Sequence, residues 1–170
     1  MGFAQAIRTC FRKYATFSGR ASRPEYWYFA LFVILGNFAA GILDGIVNGI
    51  MYGPGAGAPA APLSTLFWLG TLIPGLAAAW RRMHDTGRSG LYVLYPLLVM
   101  VGMGTFMAFA AGLVPVLGDQ AAGVATGATM ILMGLAMVVL LLSPILVIWW
   151  LTRPGQPGRN RYGPNPQEAA

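Results

Sequence analysis

Read as a pattern of apolar and polar positions, the chain divides into four long apolar runs separated by short polar segments. The runs extend from about Tyr26 to Ile50, from Leu63 to Trp80, from about Leu91 to Leu117 and from about Gly123 to Leu151. A helix that crosses a bilayer needs roughly 20 apolar residues, and each run meets that length or lies near its lower limit. The pattern predicts an all-α polytopic fold, a four-transmembrane-helix bundle whose short connections make neighbouring helices antiparallel. Residues 1–25 form a leader, 26–151 the membrane domain and 152–170 a tail rich in Pro and Gly, expected to be irregular and partly disordered at its end. MYGPGAGAPAAP, between the first two runs, reads as a flexible connector.

Before the first run, Phe3, Ile7, Cys10, Phe11 and Tyr14 recur at helical spacing, with Arg8, Arg12 and Lys13 off that stripe. This predicts a short amphipathic helix lying in the membrane interface. Ser22-Arg-Pro-Glu25 fits a capping box, with Ser22 as N-cap of the first span and Glu25 reaching back to its amide.

Composition agrees with a membrane protein. Of 170 residues, 56% are hydrophobic and 9% charged, against roughly 25% charged in a soluble domain. The net charge of +6 does not point to nucleic acid, because the basic residues form no single patch. Counted segment by segment, Lys and Arg number five before the first span, none in the next connection, three in Arg81–Gly90, none in LGDQAA and three in the tail. The positive-inside rule then places both termini and the middle loop in the cytoplasm. Tyr26, Trp27, Tyr28, Trp80, Trp149 and Trp150 fall at the cytoplasmic span ends, where amphipathic rings settle at headgroup level. The leader carries its basic residues before any long apolar run and lacks a cleavage pattern, so the first span is expected to persist as an anchor. With one cysteine, Cys10, no internal disulfide forms.

Within the spans, Asn37, Gly41, Gly45 and Gly49 recur every four residues. Gly104, Ala108 and Gly112 repeat the theme, as do Gly123 and Gly127. Such stripes predict close helix packing and also suit a homo-oligomer. Asp44 is an ionisable residue in a span, a functional candidate by default. Helical rise puts it roughly 27 Å beyond Tyr26, near the far surface of a hydrocarbon core of roughly 30 Å, which predicts a wetted position. Pro74, Pro96, Pro115 and Pro144 can kink helices and release carbonyls.

The densest polar stretch is RRMHDTGRSG, Arg81–Gly90. Gly87-Arg-Ser-Gly90 lacks the second glycine of a nucleophile elbow, since Leu91 stands there. His84-Asp85 looks like a metal-binding pair, but the chain has one His and five acidic residues, too few for a hydrolytic metal site. No metal or cofactor is expected. A purely structural account is available. Arg81 or Arg82 pairs with Asp85 at i+4 or i+3, Gly87 gives a left-handed C-cap and Ser89 caps the next helix. The leader segment Phe17–Trp27 has the same character, with Arg20, Ser22, Arg23 and Glu25 at the same membrane surface. Together with RNRYGPNP in the tail, these residues form either a cationic pocket for a phospholipid headgroup or another phosphate, or a polar staple. In the staple Arg20 or Arg23 meets Asp85 and Arg82 meets Glu25.

FSGRASRPEYW (Phe17–Trp27), RRMHDTGRSG (Arg81–Gly90) and RNRYGPNP (Arg159–Pro166), in that order around four spans, resemble the bacterial inner-membrane family called domain of unknown function 805. The resemblance covers nearly the whole chain. It implies a small polytopic protein of the bacterial cytoplasmic membrane and no established reaction. Gly19, Arg20, Ser22, Arg23, Glu25, Trp27, Arg82, His84, Asp85, Gly87, Arg88, Ser89 and Gly90 carry over as motif members without roles. Met83 stands where Leu is common in the family, and Asn165 where Asp is common.

Three functions compete. The first is a non-enzymatic membrane protein that binds anionic lipid or a protein partner through its cytoplasmic Arg/His/Asp surface. The second is a small oligomeric transporter or channel using Asp44 and the prolines. The third is a lipid-modifying enzyme with His84 as base, Ser89 as nucleophile and Asp85 as orienter. No complete catalytic set is present, and adjacent residues on a helix point in different directions, so the first is preferred.

Overall fold

The computed structural model describes residues 1–53, 61–113, 116 and 119–168. Among the described residues five α-helices follow one another: α1 (Phe3–Arg12), α2 (Arg23–Tyr52), α3 (Pro62–Asp85), α4 (Tyr95–Leu113) and α5 (Asp119–Thr152), with a 3-10 turn at Gly90–Leu94 before α4. Among the described residues there is no strand, only an isolated bridge between Asn160 and Gly163. Four helical stretches are long and apolar enough to cross a membrane: Arg23–Tyr52, Pro62–Asp85, Gly90–Leu113 and Ala121–Thr152. The four expected spans are present. The second span runs on to Asp85, where the Thr86 cap ends it, and Leu117, the expected end of the third, lies outside the described residues. Of the connector between the first two spans, residues 54–60 lie outside the described residues, as does Pro115.

The chain forms two compact units, Met1–Gly90 with Arg153–Ala170, and Leu91–Thr152. In the first, α1 lies against α2 and α3. Of the stripe's residues, Cys10 is buried, and Phe3, Phe11 and Tyr14 are exposed. Ala6, Thr9 and Cys10 are buried, with Cys10 against Phe29 and Ala78. Phe11 stays partly exposed and meets Phe29 and Phe32 edge-on, at centroid distances of 5.6 and 6.0 Å. α2 and α3 pack tightly at Gly36, where a Cβ would stand 2.1 Å from the Phe67 ring. Within the chain the glycine stripes make no close helix contact among the described residues: a Cβ at Gly41, Gly45, Gly49, Gly104, Gly112, Gly123 or Gly127 would meet no described atom within 4 Å.

Each unit contains a proline inside a helix, and each satisfies the carbonyl that proline releases. Pro74 has no N–H for the carbonyl of Gly70, and the Tyr14 hydroxyl donates to that oxygen at 3.0 Å. Pro144 leaves the carbonyl of Leu140, and the Ser143 hydroxyl donates to it at 2.9 Å. Pro96 sits in the first turn of α4, where its missing donor costs nothing.

Burial is inverted relative to a soluble protein. Ile34, Phe38 and Ile50 are exposed, at 65%, 70% and 80%, as lipid-facing side chains should be. The largest fully buried side chains are Arg81 and Arg82.

Candidate functional site

The buried polar residues gather where α3 ends. Ser22 caps α2, its hydroxyl accepting from the Glu25 amide at 3.4 Å. The Glu25 carboxylate is engaged by Arg81 rather than completing a capping box. Thr86 is the C-cap of α3, and Gly87 follows at φ +80°. The Gly87 amide donates to the His84 carbonyl and the Arg88 amide to that of Met83, both at 3.0 Å. This is a Schellman ending, as Gly87 predicted. Ser89 directly precedes the 3-10 turn Gly90–Leu94, which runs into α4 at Tyr95. Gly90 is needed there for contact, since a Cβ would stand 2.1 Å from the Trp80 ring.

Asp85 is the centre. Arg20 reaches its Oδ1 with Nε and Nη2, both at 2.8 Å, and Arg82 holds its Oδ2 with Nη1. Arg20 spans further, donating to the carbonyls of Gln156 at 2.5 Å and Gly158 at 2.6 Å. Arg82 also donates to the carbonyls of Ala21, at 3.4 Å, and Arg153. Arg81 takes the partner expected for Arg82: its Nη2 meets Glu25 Oε1 at 3.0 Å, and its Nη1 donates to the Thr16 carbonyl at 2.6 Å. Its Nε is buried without a partner among the described residues. Arg23, the alternative partner of Asp85, is exposed and donates instead to the Arg153 carbonyl at 3.2 Å.

The tail is irregular, as expected, but tied down. The Gln156 amide donates to the Asp85 carbonyl at 2.8 Å, and Asn160 Nδ2 to the His84 carbonyl at 3.0 Å. Gly155 passes so close to Asp85 that a Cβ there would lie 2.2 Å from the carboxylate. The His84 ring stacks on Tyr162 at 3.7 Å and 3°. Its Nδ1 lies 3.0 Å from the Gly19 carbonyl, which can only accept, so Nδ1 carries the hydrogen. The enzyme alternative therefore loses its relay: the carboxylate of Asp85 is taken by two arginines, and His84 is turned to Gly19 and Tyr162.

Of the other candidates, Trp27 is partly exposed and packs edge-on against Tyr26. Arg88 Nη1 makes a local contact to the Thr86 carbonyl at 3.4 Å. Asn37 and Asp44 lie away from this cluster. Asn37 bonds back to the Val33 carbonyl at 3.0 Å. Asp44 is corrected from wetted to buried, 4% exposed. It accepts from the amides of Leu63 and Ser64 at 3.0 and 2.8 Å, and from the Ser64 hydroxyl at 2.8 Å. It caps α3 from the neighbouring helix, where the chain's own N-cap residue, Ala61, has no side-chain acceptor.

Sequence reasoning missed Gln156, named no individual role for Asn160 and Tyr162 within RNRYGPNP, and gave Arg81 Asp85 as a partner where the structure gives Glu25. That motif was the signal for Asn160 and Tyr162. In Cys10, buried beside this cluster, the thiol is pushed up to about 11, first by burial and then by the Glu25 carboxylate.

The family model described as "Protein of unknown function (DUF805)" matches residues 14–164. The chain is 39% identical over 98 residues to inner membrane protein YhaI of Escherichia coli (strain K12), covering 58% of this chain and 75% of that protein. It is 27% identical over 156 residues to inner membrane protein YhaH of the same strain, covering 92% and 91% respectively. No solved structure matches the chain.

Proposed function

We propose that this chain, which belongs to the DUF805 family, is a non-enzymatic multi-pass protein of the bacterial inner membrane that presents a basic face to anionic lipid headgroups. Both termini and the Arg81–Gly90 loop lie on the cytoplasmic side. The observation that carries this reading is the placement of charge. All eleven Lys and Arg residues belong to the unit formed by Met1–Gly90 and Arg153–Ala170. Within it, buried Arg20, Arg81 and Arg82 face buried Glu25 and Asp85, an excess of one positive charge. Exposed Arg8, Arg12, Arg159 and Arg161 add to it.

The arginine cluster has a structural role: it fastens leader, α3 end and tail into one face. The outer arginines then attract anionic lipid, at about 1 kcal/mol for each basic residue near a charged surface. Asp44, on which a transporter would rest, already serves as a helix cap. The lipid reading is tested on the full chain with vesicles containing or lacking phosphatidylglycerol. R8Q/R12Q/R159Q/R161Q should lose the preference for anionic vesicles and remain folded. Equal preference in the folded variant overturns the reading. Labelling of a Gln167→Cys variant by an impermeant maleimide in intact spheroplasts tests the orientation: labelling from outside overturns it.

A further inference from the structure

Beside the arginine cluster is a small polar cavity of about 120 Å3, lined by Arg23, Arg82, Asp85, Pro154, Gly155 and Gln167. Asp85 contributes little negative charge to it, because its two oxygens are held by Arg20 and Arg82. The buried cluster carries one positive charge in excess, and Arg23 adds another at the cavity wall. Arg23 spends only its Nε on the Arg153 carbonyl, and its two terminal nitrogens have no hydrogen-bond or ion-pair partner among the described residues. A guanidinium with its outer edge unspent is suited to two parallel bonds to an oxyanion. At roughly 30 Å3 per water the cavity has room for about four waters, comparable to the five heavy atoms of a tetrahedral phosphate.

The depth also fits. Arg23 opens α2, and the partly exposed Trp27 and Tyr28 follow within about two turns. Such rings mark headgroup level. We propose that this cavity binds a single phosphate group, gripped by Arg23 and neutralising the excess charge of the cluster beneath it, with Gln167 closing the tail side. The phosphate belongs to a lipid headgroup or is free inorganic phosphate. This goes beyond the basic-face reading, which needs neither a cavity nor Arg23 in particular.

The test uses the full chain in a non-ionic detergent, titrated separately with inorganic phosphate and with phosphatidylglycerol. Binding is read by calorimetry and native mass spectrometry. R23Q is compared with R12Q, which removes an exposed charge on α1 that does not line the cavity. The proposal expects one phosphate-bearing ligand per chain, at least tenfold weaker in R23Q and less than twofold weaker in R12Q. Binding of phosphatidylglycerol but not of phosphate identifies the headgroup as the source; the converse identifies the free ion. Q167A, which leaves every charge in place, should weaken binding severalfold and serves if R23Q does not fold. Equal losses in R23Q and R12Q without saturation at one ligand overturn the site and leave the basic face standing. Absence of binding to either probe by folded wild type overturns the site. Indifference to phosphatidylglycerol in vesicles overturns the basic face separately.

Discussion

At its first turn α3 is held by one carboxylate from a neighbouring helix, Asp44, whose partners are two backbone amides and a hydroxyl. At its last turn it is held by Glu25, Asp85, Arg20, Arg81 and Arg82, with carbonyls from the leader and the tail. Both ends bury charge, and burying charge requires a complete set of partners. The first end meets that demand with neutral donors already present at any helix N-terminus, so one residue suffices. The second end meets it with side chains brought from 56 and 65 residues away, Glu25 to Arg81 and Arg20 to Asp85. One end is therefore a local cap, and the other is the point at which the order of the chain is fixed.

The sharpest way to break this comparison is to remove the central carboxylates in turn. Asp85→Ala strands Arg20 and Arg82 in a buried site, and loss of one partner from a buried ion pair costs about 3–5 kcal/mol. The variant should fail to accumulate, or melt well below wild type in detergent. Asp44→Ala removes a cap and should cost about 1 kcal/mol, while Asp44→Asn, which can also cap, should stay near wild type. Equal effects of the two alanine variants would erase the distinction between the ends.

Gly155→Ala probes the second end from the tail side. Its Cβ would lie 2.2 Å from the Asp85 carboxylate, so the tail must lift or Asp85 must move. Overpacking of this kind costs about 1–3 kcal/mol. Limited tryptic digestion should cut the tail of the variant after Arg159 and Arg161 faster than that of wild type. An unchanged digestion pattern would show that the tail is not held against Asp85.

How much of this was legible in sequence depends on the range of each interaction. Ser22 and Gly87 were legible because a cap and a left-handed ending are decided within a few residues. The four spans were legible because apolar length is a property of one segment. Arg82 with Asp85 was legible as an i,i+3 pair. Arg81 with Glu25 was not, because one residue along a helix is a turn of about 100°, and only the rotation of α3 against α2 decides which arginine faces Glu25. The same register explains the glycines: contact falls on Gly36, one position before Asn37, so the stripe that begins there points elsewhere. Asp44 was misplaced because span length gives depth but not what arrives from the next helix. A search for an uncapped N-terminus at Ala61-Pro62 would have suggested its role.

Cys10 is a reporter that separates the two ends without destroying either. The thiol is buried, its Sγ 3.8 Å from the Glu25 carbonyl, and its pKa is raised from its ordinary 9.0 to about 11. The thiolate is the reactive form. At pH 8 its fraction is then roughly 100-fold smaller in the folded chain than in the unfolded one, by the two-unit difference. Because the folded pKa is the higher one, this preference for the neutral thiol stabilises the fold below about pH 9 and fades as pH rises toward about 11. Maleimide labelling of the native protein should therefore be slow at pH 8 and climb only in strongly alkaline buffer. A variant that opens the second end, such as Gly155→Ala, should label faster at pH 8, because Cys10 lies beside Glu25 and its partner Arg81. Asp44→Ala should leave the rate unchanged, since its cap is at the other end of α3. Acceleration by both variants would mean that the two ends loosen together, and that the local cap and the long-range cluster belong to one cooperative unit.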